Sequence, residues 1–276
     1  MNQELVCWLK NEIKKRYGNV KRARGIYLYT EKSVRLTDCF LDGGRGILGH
    51  GGGKAKTAFK DCFERGANGF YDSGLLPAFE KSVKKLLPAE YTEIRLYSEK
   101  TAAILEKNSN PVLWRPWLDF AGKITEQPTG YPKIQVTYTN EDFPAVVKIV
   151  PPFTYATDIC VYAFSEKSYK NQGELPQNDV VPSPLLAAYA RSFYDLLNSF
   201  SLFTENDFKA NSKALEPFFT RNQCYLFPKV PEEKYKDFVL KCLDAGIVIS
   251  PEYNVPSIMP WRANPGDIKK IAHLEI

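Results

Sequence analysis

Histidine is scarce: His50 and His273 are the only two in 276 residues. Chemistry that needs several converging imidazoles is therefore closed to this chain. No Gly-x-Ser-x-Gly elbow occurs, which removes the commonest setting of a Ser-His-Asp nucleophile. Six cysteines stand at 7, 39, 62, 160, 224 and 242. None pairs as Cys-x-x-Cys and their spacings match no zinc pattern, so no metal is expected. Long apolar runs are also lacking. No stretch approaches the ~18 apolar residues of a bilayer span, and Glu4 and Lys10 interrupt the N-terminus before it can form a signal peptide. The expectation is a cytoplasmic protein with no membrane partner and with buried free thiols, not disulfides. An excess of charge is missing too. The 37 Lys and Arg stand against 32 Asp and Glu, a net of +5. The basic residues are dispersed, with short clusters such as Lys14–Arg16, and a nucleic-acid partner is not expected.

What is present is an ordinary globular composition, 44% apolar and 25% charged, in a chain long enough for a real core. Residues 2–17 carry a loose apolar stripe at helical spacing. Two strands are predicted at 25–30 and 34–41, joined at hairpin length. Helices are predicted near 55–65 and 77–87. A strand at 93–97 leads to Ser98, which can cap a helix through 101–105. Strands are expected at 134–138, 145–150 and 159–164, and a polar surface loop at 165–181. The thickest apolar face belongs to 184–200, with Ser183 as cap and Pro184 in the first turn. Thr204–Asp207 resembles a capping box. A strand at 224–227, a helix at 231–245, a strand at 246–250 and a short helix near 267–274 complete the chain.

Between the first strands and the second helix lies a glycine-dense segment. Positions 43–53 hold seven glycines in eleven residues, which argues against regular structure there. Walker A needs Gly-x-x-x-x-Gly-Lys-Ser/Thr. Here Ala55 follows Lys54, so that pattern fails. Gly51, Gly52, Gly53 and Lys54 at the start of a helix still form a candidate nest for an anion. The alternative is a flexible connection. His50 beside it is a candidate for acid–base chemistry or for a hydrogen-bonded structural role.

The order Gly25–Thr30, a turn, Val34–Asp38, glycines and then Leu48-Gly49-His50 resembles the N-terminal entry of class III aminotransferases. Residues 182–276 resemble the C-terminal domain of the same family. The resemblance covers about half of the chain. It implies an α/β protein with a reduced architecture like that of the fold type I pyridoxal-phosphate transferases, and a smaller α+β C-terminal part. It places domain limits at 1–55, 56–189 and 190–276, with the last packing on the N-terminal hairpin. It also implies a homodimer. The family holds its cofactor phosphate with a Ser-Gly-x-Glu-Ala turn that opens a helix. The nearest counterpart is Tyr97–Ala102, where Ser98 and Thr101 are candidate anion contacts although the glycine is missing. If pyridoxal phosphate binds, Asp158 is the candidate partner of its ring nitrogen. Many fold type I aminotransferases clamp the substrate carboxylate with a C-terminal-domain arginine, and Arg262 stands in a matching position. The cofactor-bearing lysine should precede the long helix, but the chain there reads Asp179-Val180-Val181-Pro182-Ser183-Pro184. Lys148, within a predicted strand, is the one lysine that could replace it. The expectation is a reduced aminotransferase-fold protein, not a competent transaminase, that binds an anionic small molecule at the glycine-rich segment. The alternatives are an active aminotransferase with a relocated lysine and a structural or partner-binding protein.

Overall fold

The computed structural model describes residues 2–51, 53–67, 73–117, 143–155, 159–166, 175–200, 211–259 and 263–274. The chain divides into two compact units, Met1–Gly51 with Phe203–Ile276, and Gly52–Leu202.

The first unit begins with helix α1 (Gln3–Tyr17). Asn2 caps it by accepting from the backbone N–H groups of Glu4 and Leu5, and Val6, Leu9 and Ile13 form its buried face. Strands β1 (Val20–Arg24), β2 (Tyr27–Thr30) and β3 (Arg35–Asp38) follow as an antiparallel meander. Strand β1 was not expected, because its residues are almost all exposed and show no alternation. After β3, residues Leu41–Gly44 wind into a short 3-10 turn with Asp42 and Gly43 at positive φ. Leu41–Gly44 all have positive φ, so this turn is not regular helix, in keeping with the irregular backbone expected of the glycine-dense segment.

The C-terminal part of this unit supplies hairpin β8 (Phe219–Asn222) and β9 (Tyr225–Pro228), then a helix, Glu232–Asp244. Strands β10 (Ile247–Val248) and β11 (Ser257–Ile258) come next. A short helix, Pro265–Lys269, runs into a 3-10 turn, Lys270–His273. Strand β10 pairs parallel to β3, Ile247 opposite Thr37, and closes the sheet β1-β2-β3-β10. A second sheet has the order β11-β9-β8. Leu36, Cys242, Leu243 and Ile247 are fully buried and form the core beneath the first sheet. Tyr17 donates to the carbonyl of Leu243, which ties α1 to the C-terminal helix.

The second unit is built on the sheet β4-β7-β6-β5. Its strands are β4 (Tyr91–Ser98), β5 (Val112–Trp114), β6 (Val146–Ile149) and β7 (Ile159–Ser165). Strand β7 lies inside the sheet and is apolar almost throughout, as a strand covered on both faces must be. Helices α2 (Gly53–Glu64) and α3 (Leu75–Lys84) pack on α5 (Ser183–Ser199), and α4 (Glu99–Ser109) packs on β4 and β7. Leu185, Leu186, Tyr189, Phe193 and Leu196 of α5 supply the expected apolar face. The ring of Phe79 lies 6.0 Å from Phe193 and 6.4 Å from Tyr189.

Two local expectations need correction. Pro182, not Ser183, precedes α5, and Ser183 instead donates to the hydroxyl of Ser73 at 2.8 Å. Residues 175–181, expected as part of a surface loop, run along the edge of β4: Asp179 N–H donates to the carbonyl of Leu96, and Asn178 Oδ1 accepts from its N–H. The predicted strand 134–138 and the capping box at 204–207 lie outside the described residues. All six cysteines are free thiols, but Cys7 is exposed and Cys160 only half-buried.

Gly49 adopts φ +92, and a Cβ there would approach the backbone Cα of Gly25 to 3.2 Å. Gly51 adopts φ +102 but faces open space. Both positions disfavour a side chain through φ, and only Gly49 adds a backbone collision. Gly49→Ala is therefore expected to cost about 1–3 kcal/mol in urea unfolding, and Gly51→Ala clearly less. Equal costs at the two positions would show that the crowding against Gly25 is unimportant.

Candidate functional site

The candidate residues fall into three local arrangements. In the first unit, His50 is held to the hairpin by a two-way backbone bridge with Gly25. Its Nε2 lies 2.7 Å from Asp38 Oδ2, and both side chains are almost fully buried. The other oxygen of Asp38 accepts from the backbone N–H groups of Phe40 and Leu41, each at 2.9 Å. One carboxylate thus stitches the end of β3, the 3-10 turn and His50 together. Burial raises the nearby carboxyl of Asp42 above its ordinary range, against the opposing pull of Arg45. His50 is thus hydrogen-bonded within the first unit through both its backbone and its ring.

The second arrangement surrounds Lys148. It is the only lysine among the described residues that is not exposed. Its Nζ lies 2.7 Å from Glu106 Oε1 and 5.9 Å from the centre of the Tyr162 ring. Tyr162 donates to the same carboxylate oxygen at 2.5 Å. Burial opposes ionisation of Glu106, but the hydrogen bonds from Lys148 and Tyr162 outweigh it and hold its carboxyl below the usual range. Burial and the Glu106 carboxylate push the Tyr162 phenol far upward. The Lys148 amine is thus held to a carboxylate within the second unit.

The third arrangement is at the start of α4. Ser98 is its cap, and its Oγ accepts from the N–H of Thr101. A third residue joins them. Asp179 Oδ2 accepts from Ser98 N–H at 2.7 Å and from Thr101 Oγ1 at 2.8 Å. Those hydrogen bonds, the one from Ser98 N–H foremost, hold the Asp179 carboxyl below its ordinary value. Tyr97 fixes the same segment by donating to the carbonyl of Pro176 at 2.8 Å. Behind it, Tyr97, Ala102, Val146, Tyr162 and Phe164 form one buried cluster, with Leu175 packed against it.

The remaining candidates are placed as follows. Gly51 closes the first unit, and Gly53 and Lys54 open α2 in the second. The first turn of α2 carries no acidic residue. Gly52, Asp158 and Arg262 lie outside the described residues. Sequence reasoning did not single out Glu106, Tyr162 or Asn178, and it noted Asp179 only where a lysine was missing. Asp179 is 81 residues from Ser98, and no local pattern reveals such a pairing. Among the described residues no cluster could hold a metal ion, and no helix is long and apolar enough to cross a membrane.

Solved structures share this architecture. Ornithine aminotransferase from Plasmodium yoelii matches with a TM-score of 0.57 at 13% identity, over 97% of this chain and 96% of that one. Ornithine delta-aminotransferase from Plasmodium falciparum matches with a TM-score of 0.58 at 11% identity, over 97% and 96%. Acetylornithine aminotransferase from Elizabethkingia anophelis gives 0.57 at 11% identity, over 95% and 97%. The chain has an aminotransferase-like fold. No family model matches the sequence. An uncharacterized protein of Treponema pallidum (strain Nichols) is 28% identical over 90% of this chain and 91% of its own length. An uncharacterized protein of Borreliella burgdorferi is 25% identical over 92% and 89%.

The fold raises the question of pyridoxal phosphate, and the described residues do not fit it well. Lys148 is paired with Glu106, and Ser98 and Thr101, the candidate anion contacts, already donate to the Asp179 carboxylate.

The downward shift of Asp179 has a pH signature. Its native value lies below its unfolded one, so acid protonates the unfolded chain first. Its contribution is complete above the ordinary Asp range, about 4, and is lost as pH falls through the lowered native value. The stability difference between the wild type and Asp179→Asn, measured by urea unfolding, should therefore shrink below about pH 4. A difference that stays constant on acidification would contradict the assigned hydrogen bonds.

Proposed function

We propose that this chain is a reduced aminotransferase-fold protein that is not a competent transaminase, and that it binds an anionic small molecule where the glycine-rich segment enters α2. The observation that carries this is the ion pair of Lys148 with Glu106. It holds the one half-buried lysine among the described residues against a carboxylate of the same chain. The anion part is supported by the opening of α2. Gly53 has positive φ and open space where a Cβ would stand. Lys54 and Lys56 lie at a helix start whose first turn carries no acidic residue. Free N–H groups at such a start, together with lysine charge, attract anions.

Borohydride reduction in the presence of pyridoxal phosphate, followed by peptide mapping, tests the first part. The expected outcome is scattered, substoichiometric labelling of exposed lysines. Stoichiometric label on Lys148, or on any single lysine, that is lost on mutation to Ala would establish an active enzyme instead.

We also propose that the protein is a homodimer, on the strength of its aminotransferase-like scaffold. Light scattering at micromolar concentration should give twice the 31.4 kDa chain mass. A monomeric particle would refute it.

A further inference from the structure

Two helices of the second unit begin with opposite electrostatic surroundings. The start of α2 carries Lys54 and Lys56. The start of α4 carries Glu99 in its first turn and the Asp179 carboxylate against its cap. A helix start with unpaired N–H groups attracts a negative group, and at α4 that group comes from the chain itself. We infer that Asp179 is a built-in anion that closes the start of α4 to phosphate, so that the place where this fold would take a cofactor phosphate is sealed by the protein's own strap, residues 175–180.

The strap is anchored along its length. Leu175 packs on the buried cluster of Tyr97 and Tyr162. The carbonyl of Pro176 accepts from Tyr97, and Asn178 and Asp179 together satisfy both backbone groups of Leu96. Asp179 then reaches past the end of β4 to Ser98 and Thr101. The next residue, Val180, is 95% exposed. The contacts therefore stop at the carboxylate, and the chain leaves the sheet edge for Pro182 and α5. A phosphate placed at Ser98 would need the donors that Asp179 holds at 2.7 and 2.8 Å. It would also face the Asp179 carboxylate at close range, and like charges sharing one site disfavour each other.

The seal does not depend on the anion site proposed at α2, because the two helix starts are read by different residues. The test is a titration of the full chain with inorganic phosphate and, separately, with pyridoxal phosphate, followed by backbone amide chemical shifts. In the wild type the amides of Ser98–Thr101 should not move saturably with either probe, whatever happens at Gly53–Lys56. In Asp179→Ala those amides should respond to phosphate, with affinity gained on the order of tenfold, the scale of relieving one charge at a helix start. Asp179→Ser keeps a hydroxyl to satisfy Ser98 but leaves room for a ligand, and serves if the alanine variant does not fold. Saturable shifts at Ser98–Thr101 in the wild type would overturn the inference. So would a folded Ala or Ser variant whose amides at these positions stay silent. Shifts at Gly53–Lys56 alone would support the α2 proposal and leave the seal intact. Their absence would remove the α2 proposal without touching the seal.

Discussion

One carboxylate, that of Asp179, joins three parts of the second unit. It accepts from the last residue of β4 and from the first turn of α4, and it belongs to the strap that leads into α5. An edge strand leaves a row of unpaired N–H and C=O groups that a protein must cover. The strap covers part of the β4 edge through Leu96 and finishes at the helix cap. Edge protection and capping are thereby performed by a single short segment. The consequence for ligands follows from the same bonds: donors already serving a buried-edge strap are no longer open to a phosphate.

The neighbouring cluster obeys the same logic of internal satisfaction. Lys148 and Tyr162 both turn to Glu106, and Tyr162 stacks into the cluster that also contains Tyr97. In the first unit, Asp38 satisfies two backbone N–H groups and His50. In each case a polar group that could have addressed a ligand makes a hydrogen bond within the chain. The start of α2 is different. Its glycines have room, and its lysines are exposed. That contrast is why the proposed anion is assigned there.

Some of this was legible in the sequence. Helices α1 and α5 announced themselves by apolar spacing, and Ser98 by its type and place before a helix. The order of hairpin, Asp38 and Leu48-Gly49-His50 pointed to the fold that the solved structures share. Strands β1 and β8 were not legible. Val20–Arg24 has no buried alternation, and Phe219–Asn222 has only one buried residue, so hydrogen-bonded neighbours and not side-chain pattern make them strands. The partners that decide the sites were hidden by distance along the chain. Lys148 meets Glu106 across 42 residues, and Asp179 meets Ser98 across 81. A stretch such as residues 175–179 reads as a loop until the strand edge that it covers is known.

The charge balance at the start of α4 is tested most directly by a crystal structure of the protein grown with excess pyridoxal phosphate. The expected density shows the Asp179 carboxylate still bonded to Ser98 and Thr101, with no covalent link at Lys148. Density for a phosphate at Ser98, with Asp179 swung away, or a bond from Lys148 to the cofactor, would contradict it.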